Sequence, residues 1–297
     1  MPPIPPPRAD GHTTTTPAPL YWARYGEPDA PLLLVLHGGP GASHDYLLPQ
    51  MLRLAGLAGG RELLFYDQRG GGRSRTDDRT PVTWRAHADD LALVARELVA
   101  GPLHLVGYSW GGLLAMLYAI ESARSPFTPR LASLILIDPA PITRAYREQF
   151  EAEFARRQQS AEVLALRDEL ARSGLRERDP EGYRHRAFEL SVAGYFHDPR
   201  AARDLTPFRV VGRVQQSVWE SLGDFDLRAE LAALRPSGIP ALVVHGRQDP
   251  IPLASSEAAA GALGAELVVL DECGHVPYVE QPEMLFDTVE RFLRERR

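Results

Sequence analysis

Three residues of the chain have the types and the order needed for nucleophilic catalysis by a serine. Ser109 lies in the sequence GYSWG, a Gly-x-Ser-x-Gly pattern typical of a tight turn between a strand and a helix. A serine hydroxyl is a poor nucleophile unless a histidine accepts its proton and a carboxylate orients that histidine. Asp249, in GRQDP, and His275, in CGHVP, follow Ser109 along the chain in that order. The three residues are therefore predicted to form a Ser-His-Asp triad.

Each member of the predicted triad also has an ordinary interpretation. An aspartate before proline is common in turns and a histidine after glycine is common in loops, so the prediction depends on the three residues occurring together. Asp138 also follows a predicted strand. We prefer Asp249 as the acid and keep Asp138 as the alternative.

Acyl transfer also needs two backbone N–H donors for the negative charge that develops on the substrate oxygen. One donor would be the N–H of Trp110, the residue after the serine. The other would come from the loop HGGPG, residues 37–41, which follows an apolar stretch. In this loop Gly39 is the first choice and Gly38 the second.

A second glycine-rich loop, DQRGGGRS, occupies residues 67–74. Three consecutive glycines between two arginines could cradle an anion. We favour instead a tight turn in which Asp67 and Arg69 hold the neighbouring loops.

These loops follow strands that alternate with helices. Short apolar runs bounded by glycine and proline predict strands, and longer amphipathic or apolar stretches predict helices. Continuous apolar strands separated by helices indicate an α/β fold, a mostly parallel sheet covered on both faces, in which functional loops lie at the carboxyl ends of the strands. Strands are expected near residues 20–25, 31–36, 62–66, 102–106, 131–138, 240–245 and 266–270, and helices near residues 42–57, 83–99, 113–120, 254–263 and 282–294.

The chain divides into three kinds of segment. Residues 1–17 are rich in proline and threonine and are expected to form a disordered tail. Residues 18–140 and 236–297 carry the alternating pattern of the α/β core. Residues 141–235 are dense in Arg, Glu and Ala, with proline breaks, and predict a helical cap inserted over the sheet; we call this segment the insertion.

Composition excludes several classes of function. The 297 residues have a net charge of −6, which gives no electrostatic footprint for nucleic acid or anionic lipid, and no apolar run reaches the length of a membrane span. All 33 basic residues are arginine, so lysine-based catalysis is excluded. Metal-ligand spacings and the GxGxxG pattern are missing, and we expect neither a metal nor a cofactor. The single cysteine, Cys273, and the lack of an apolar secretion signal favour the cytoplasm.

Taken together, HGGPG, DQRGGGRS, GYSWGG, GRQDP and CGHVPYVEQPE resemble the α/β-hydrolase fold, and more narrowly the proline iminopeptidase family of serine peptidases. The resemblance covers about residues 18–295, and the family's helical cap corresponds to the insertion. The chain departs from the family at Tyr108, where a glycine is usual, and at Gly71-Gly72, where Cys-Gly is usual. The roles implied by resemblance are Ser109 as nucleophile, Asp249 as acid, His275 as base, and the N–H groups of Gly39 and Trp110 as oxyanion hole.

The resemblance implies an aminopeptidase that releases N-terminal proline, or another small residue, from short peptides. Iminopeptidases hold the substrate's amino group with glutamates of the cap, for which Glu189 is the first candidate and Glu220 the second; most cap glutamates, however, lie on solvated helix faces. An esterase or amidase with the same triad is the alternative, and a catalytically silent binding protein is a more remote one. We expect a small-molecule or short-peptide substrate, and the oligomeric state is left open.

Overall fold

The computed structural model describes residues 3–76, 80–125 and 128–295. Within these residues a central sheet contains eight strands: β1 Ala9–His12, β2 Tyr21–Gly26, β3 Leu32–Leu36, β4 Glu62–Tyr66, β5 Leu103–Tyr108, β6 Leu131–Ile137, β7 Ala241–Gly246 and β8 Glu266–Leu270. Their order across the sheet is β1-β2-β4-β3-β5-β6-β7-β8. The six strands β3 to β8 are parallel to one another. Strand β2 is antiparallel to both of its neighbours, β1 and β4.

Helices cover both faces of this sheet. They form where the sequence offers helix formers and a cap; for example, the Thr83 side chain accepts the N–H of Ala86 at the start of α1. The helices are α1 Trp84–Leu98, α2 Trp110–Arg124, α3 Arg144–Gln158, α4 Ala161–Arg172, α5 Leu175–Arg178, α6 Pro180–Val192, α7 Gly212–Leu222, α8 Arg228–Ala232, α9 Leu253–Leu263, α10 Pro277–Glu280 and α11 Pro282–Arg294. Short 3-10 helices occupy His44–Leu47, Gln50–Gly59, Ala193–Tyr195, Pro199–Asp204 and Arg235–Ser237. The α/β fold expected from the sequence is confirmed.

The core has two layers, one on each face of the sheet. Successive residues of β3 point to opposite faces, as in any strand. Leu34 and Leu36 belong to the layer that contains α1 and α2, and Leu33 and Val35 belong to the layer that contains α11. All five residues of β3 are buried, which explains why its sequence is a continuous apolar run.

The register of the sheet brings the loops of interest to one edge. Leu36 lies opposite Gly107, and Tyr108 lies opposite Ile137. Gly246 likewise lies opposite Leu270. The carboxyl ends of β3, β5, β6, β7 and β8 therefore meet, and the loops that follow them are neighbours.

The insertion connects β6 to β7 and contains α3 to α8. Its two ends are held side by side, since Thr143 and Asp226 form a β-bridge. On either side of this bridge the N–H of Arg144 donates to the carbonyl of Phe225 at 2.8 Å, and the N–H of Leu227 donates to the carbonyl of Ile142 at 3.0 Å. The insertion thus leaves and rejoins the core at one place.

The expectation of a disordered tail over residues 1–17 is wrong for Ala9–His12, which form β1 at the edge of the sheet. The backbone of this short strand pairs with β2, and Arg8 forms an ion pair with Glu62. Thr13 and Thr16 are also buried and hydrogen-bond to each other. Backbone pairing and polar contacts therefore order a segment that has almost no apolar side chains.

Within the described residues, none of the helices combines the length and the apolarity needed to cross a membrane.

Candidate active site

Ser109 lies in a sharp turn between β5 and α2. Its backbone has φ 55° and ψ −121°, in the left-handed half of conformational space that non-glycine residues rarely adopt. The neighbouring glycines make this turn possible because a Cβ on Gly107 would lie 2.5 Å from the carbonyl oxygen of Gly111. A Cβ on Gly111 would lie 2.3 Å from the carbonyl oxygen of Leu36. The spacing of glycines around Ser109 is thus a steric requirement.

The structure brings together the three residues of the predicted triad. The hydroxyl of Ser109 lies 2.9 Å from Nε2 of His275 and donates to it, while Nδ1–H of His275 donates to Oδ2 of Asp249 at 2.7 Å. His275 and Asp249 are buried, and the second oxygen of Asp249 accepts the N–H of Ile251 at 2.7 Å. Each nitrogen of the imidazole therefore has one partner, and Asp249 cannot rotate freely.

Burial determines the protonation of Asp249 and His275. Loss of water around the carboxyl raises the pKa of Asp249 to about 7. The same loss of water lowers the pKa of His275, since the interior disfavours the imidazolium. His275 is therefore neutral at neutral pH, with Nε2 free to accept a proton.

His275 is also held by two tyrosines. The backbone N–H of His275 donates to the backbone carbonyl of Tyr195 at 2.7 Å, and the Tyr195 ring stacks on the imidazole with centroids 5.1 Å apart. The hydroxyl of Tyr108 donates to the carbonyl of His275 at 2.9 Å. Tyr108 is the residue that departs from the family pattern, so this departure has a structural use. Tyr195 belongs to the insertion, and no local sequence signal marks it.

Asp138, the alternative acid, lies behind Asp249 and is fully buried. One of its oxygens accepts the N–H of Gly246 at 2.8 Å, and burial raises its pKa well above the ordinary value. Asp138, His245 and Asp249 each place one potential metal ligand within 4.8 Å of the others. Asp249, however, already bonds to the imidazole of His275. A cation here would compete with that bond.

The loop after β3 passes beside Ser109, since a Cβ on Gly38 would lie 3.2 Å from the Ser109 hydroxyl oxygen. The N–H of Gly38 donates to the hydroxyl of Tyr46 at 2.7 Å, so it is already used. Gly39 has φ 59°, a conformation that favours glycine. Trp110 is the first residue of α2, where backbone N–H groups have no acceptor within the helix. The geometry therefore favours Gly39 over Gly38 as the partner of Trp110.

The loop of residues 67–74 is a tight turn that holds its neighbours, as the sequence predicts. Asp67 accepts the N–H of His44 at 2.9 Å and the N–H of Arg73 at 2.8 Å. Arg69 pairs with the buried carboxylate of Asp90, and its Nε lies 2.8 Å from that carboxylate. Both side chains are thus occupied by structural contacts.

A cavity of about 720 Å³ opens above Ser109 between the core and the insertion. Its walls are largely apolar and include Phe150, Phe154, Tyr195, Phe208 and Trp219, with Ser109 and His275 at the base. Glu220, the second candidate for binding an amino group, lies on the exposed part of the lining.

Glu189, the first candidate, is not part of this cavity. It is buried, forms an ion pair with Arg186, and lies 3.2 Å from Nε2 of His185. These partners lie one turn away on the same helix, α6, where i,i+3 and i,i+4 side chains meet. Placing Glu189 at the substrate site is therefore a wrong expectation, because its carboxylate already has local partners.

Sequence reasoning also missed two charged residues of the cavity, Arg147 and Glu151. They form an i,i+4 ion pair on α3 at 2.6 Å, and the guanidinium of Arg147 lies 3.6 Å from the centre of the Trp219 ring. The Arg-Glu spacing could have suggested the pair, but not its position in the cavity. Glu220 accepts a hydrogen bond from the amide of Gln216 at 2.7 Å. The lining thus has two carboxylates and one guanidinium.

Comparison with known proteins adds information at two levels. A family model described as the alpha/beta hydrolase family matches residues 33–288. A proline iminopeptidase from Lactobacillus delbrueckii subsp. lactis is 41% identical over 95 residues, which are 31% of this chain and 31% of that relative. The chain therefore matches less than one third of the curated relative's length.

Solved structures resemble the whole fold at low identity. Proline iminopeptidase from Mycobacterium smegmatis has a TM-score of 0.66 and 22% identity, covering 97% of this chain and 98% of that chain. The enol-lactonase from Burkholderia xenovorans LB400 has a TM-score of 0.65 and 22% identity, covering 95% of this chain and 99% of that chain. At this level of identity the likeness shows the fold alone.

Proposed function

The chain belongs to the α/β-hydrolase family, and from that premise we propose that it is a serine hydrolase with Ser109 as nucleophile, His275 as base and Asp249 as orienting acid. One observation carries the proposal: the imidazole of His275 bridges the Ser109 hydroxyl at 2.9 Å and the Asp249 carboxylate at 2.7 Å. A neutral imidazole in this position can accept the serine proton when the hydroxyl attacks a carbonyl carbon.

The proposed reaction has two halves. Ser109 Oγ forms a bond to the acyl carbon while its proton passes to Nε2 of His275. The negative oxygen of the tetrahedral intermediate accepts the N–H groups of Gly39 and Trp110. The imidazolium then gives its proton to the leaving amine or alcohol, and an acyl-enzyme remains. Water then attacks the ester bond of the acyl-enzyme by the same steps, which releases the carboxylic acid and regenerates the Ser109 hydroxyl.

For the substrate, we propose a short peptide with N-terminal proline or another small residue. The cavity volume of about 720 Å³ suits a small molecule. Among the charged residues that line it, carboxylates outnumber guanidiniums, which favours a substrate that carries an ammonium group. Glu220 is the proposed partner of that ammonium. The stretch of likeness to proline iminopeptidases points the same way.

An esterase or amidase on small acyl substrates is the second candidate. Two contacts favour it, since Glu151 is paired with Arg147 and Glu220 accepts an amide N–H from Gln216. These contacts partly neutralise the carboxylates that would bind an amine. The apolar walls of the cavity would accept an uncharged acyl group equally well.

One comparison of substrates tests both candidates. Purified protein is assayed with proline p-nitroanilide and with p-nitrophenyl butyrate, and Ser109→Ala is the control. We expect cleavage of the anilide, loss of both activities in Ser109→Ala, and labelling of Ser109 by a fluorophosphonate. Cleavage of the ester alone would favour the esterase. Full activity in Ser109→Ala would overturn the serine mechanism.

A further inference from the structure

Gln68 connects the two segments that surround Ser109. It follows β4 in the loop of residues 67–74 and is almost fully buried. Its side-chain Nε2 donates to the carbonyl of His37 at 2.8 Å. Its side-chain Oε1 accepts the indole N–H of Trp110 at 2.8 Å. A single amide therefore bonds to the loop after β3 and to the start of α2.

The chemistry of these partners determines which side chain fits. An indole nitrogen can only donate a hydrogen bond, and a backbone carbonyl can only accept one. The bridging group must therefore accept on one side and donate on the other, as a primary amide does. The two partners also fix the orientation of the amide, because a rotation by 180° would place donor against donor and acceptor against acceptor.

The loop after β3 is held by Gln68 at a second point. The backbone N–H of Gln68 donates to Nε2 of His37 at 3.1 Å, so Nδ1 carries the proton of this ring and donates to the carbonyl of Gly38 at 2.8 Å. Burial lowers the pKa of His37, which keeps the ring neutral and preserves this arrangement. The backbone directly before Gly39 is thus fixed through both the carbonyl and the ring of His37.

We propose that Gln68 is the positioning residue of the oxyanion hole, setting the distance between the N–H groups of Gly39 and Trp110. This inference depends on the serine-hydrolase function proposed above. The side-chain hydrogen bonds of Gln68 go to His37 and Trp110 rather than to Ser109, His275 or Asp249, and Gln68 lies outside the cavity lining. Oxyanion donors act only when they lie at hydrogen-bond distance from the developing charge, so small shifts of either segment matter.

The test replaces Gln68 with methionine, which has a similar length and no hydrogen bond to offer. One oxyanion donor contributes about 10²- to 10³-fold to kcat, and its displacement is expected to remove part of this, about 10- to 100-fold. KM should change by less than about threefold, because the ground-state carbonyl depends less on these donors. A boronic acid forms a tetrahedral adduct with Ser109, and its affinity should fall in parallel with kcat. The inhibitor is proline boronic acid if the protein cleaves the anilide and butyl boronic acid if it cleaves the ester.

A neighbouring substitution provides the matched control. Arg69→Met lies in the same loop and breaks the ion pair with the buried carboxylate of Asp90, so it destabilises the fold. It leaves the bonds to His37 and Trp110 in place, and its kcat and boronate affinity should stay within about threefold of the unmutated protein. Because the triad is unchanged in Gln68→Met, the midpoint of its pH–rate profile should also stay the same.

A second variant covers the case in which Gln68→Met does not fold. Trp110→Phe removes the indole N–H that Gln68 accepts, together with the five-membered ring that carries it, and should lower kcat and boronate affinity in the same direction. Unchanged kcat and boronate affinity in a folded Gln68→Met, or in Trp110→Phe, would overturn the role proposed for Gln68. The serine-hydrolase function would not be affected by that result. If the unmutated protein cleaves neither substrate and Ser109 is not labelled by a fluorophosphonate, the proposed function fails and this role with it.

Discussion

His275 has one hydrogen bond on each ring nitrogen, and the two bonds have different consequences. The bond to Asp249 fixes the tautomer, and the bond to Ser109 fixes the direction in which the proton moves. Removal of any one partner should disable the whole group. Ser109→Ala, His275→Ala and Asp249→Asn are each expected to lower kcat/KM by about 10³-fold or more, with double variants no worse than single ones.

Asp138→Asn separates the two candidate acids. Burial raises the pKa of Asp138 well above its ordinary value and so favours the uncharged carboxyl, which an asparagine amide nearly matches in shape. We therefore expect a loss of less than about tenfold in kcat/KM, or about 1.4 kcal/mol. A loss in Asp138→Asn as large as that in Asp249→Asn would show that the acid has been assigned wrongly.

The pH dependence of activity follows from the protonation of His275. The base must be neutral, so activity is lost as the pH falls and the imidazole takes up a proton. Burial lowers the pKa of His275. A profile of kcat/KM against pH should therefore have its acid midpoint below about 6.5, the value of an ordinary histidine. A midpoint above 7 would contradict the dominance of burial.

At the scale of elements, the turn between β5 and α2 depends on glycine at positions where no side chain fits. A Cβ on Gly111 would overlap the backbone of β3. Gly111→Ala should reduce the free energy of unfolding by about 3 kcal/mol or more, because backbone atoms must move. Gly261→Ala is the control: it is exposed within α9 and a Cβ there meets nothing within 4 Å. The free energy of unfolding of Gly261→Ala should increase by about 0.5–1 kcal/mol. Urea denaturation measures both, and equal effects would refute the steric argument.

The elements themselves could be predicted wherever burial dictates composition. The strand expected at residues 131–138 is observed at Leu131–Ile137, and the strand expected at residues 240–245 is observed at Ala241–Gly246. Central parallel strands must be apolar on both faces, which makes them visible in the sequence. The helix expected before residue 57 is instead two 3-10 helices, with non-helical backbone at Leu57 and Ala58. The edge strand β1 was missed because its pairing uses backbone groups, which leave no pattern in the side chains.

The candidate site shows the same division between local and distant information. The Ser109 turn and the two strand-end loops have local signals, namely glycine spacing and position after an apolar run. Tyr195 contacts His275 from the insertion, and Gln68 contacts Trp110 across the sheet edge. Contacts between segments far apart in the chain cannot be read from spacing. Glu189 was misplaced for this reason, since a helical glutamate near aromatics can face either the cavity or its own helix.

For the molecule as a whole, the insertion and the core meet at the loop that carries His275. The carboxylate of Glu280 accepts the N–H of His197 at 2.8 Å and of Asp198 at 3.1 Å in the insertion, and the N–H of Gly274 at 2.7 Å in the core. Burial raises the pKa of Glu280 to about 7. The segment that forms the cavity roof is thus tied directly to the residue beside His275. The insertion therefore contacts the loop that carries His275 as well as forming walls of the cavity.

The choice between peptide and ester substrates depends on the part of this shared cavity that carries charge. If the substrate has an ammonium group, Glu220 is the carboxylate proposed to meet it, and Glu220→Gln keeps the shape while removing the charge. Because Glu220 is exposed, water screens part of the attraction, and kcat/KM for proline p-nitroanilide should fall on the order of tenfold. A neutral p-nitrophenyl ester should be cleaved at nearly the original rate, since it has no ammonium to lose.

Glu189→Gln is the matched control for this comparison. It removes the same charge from the same segment, but at a carboxylate held by Arg186 and His185 away from the cavity. It should lower stability and leave the ratio of anilide to ester cleavage unchanged. A fall in that ratio for Glu220→Gln alone would place the amine site at Glu220. Equal ratios of anilide to ester cleavage in both variants would mean that the Glu220 carboxylate does not select the substrate. An esterase without preference for an amine would then describe the protein better.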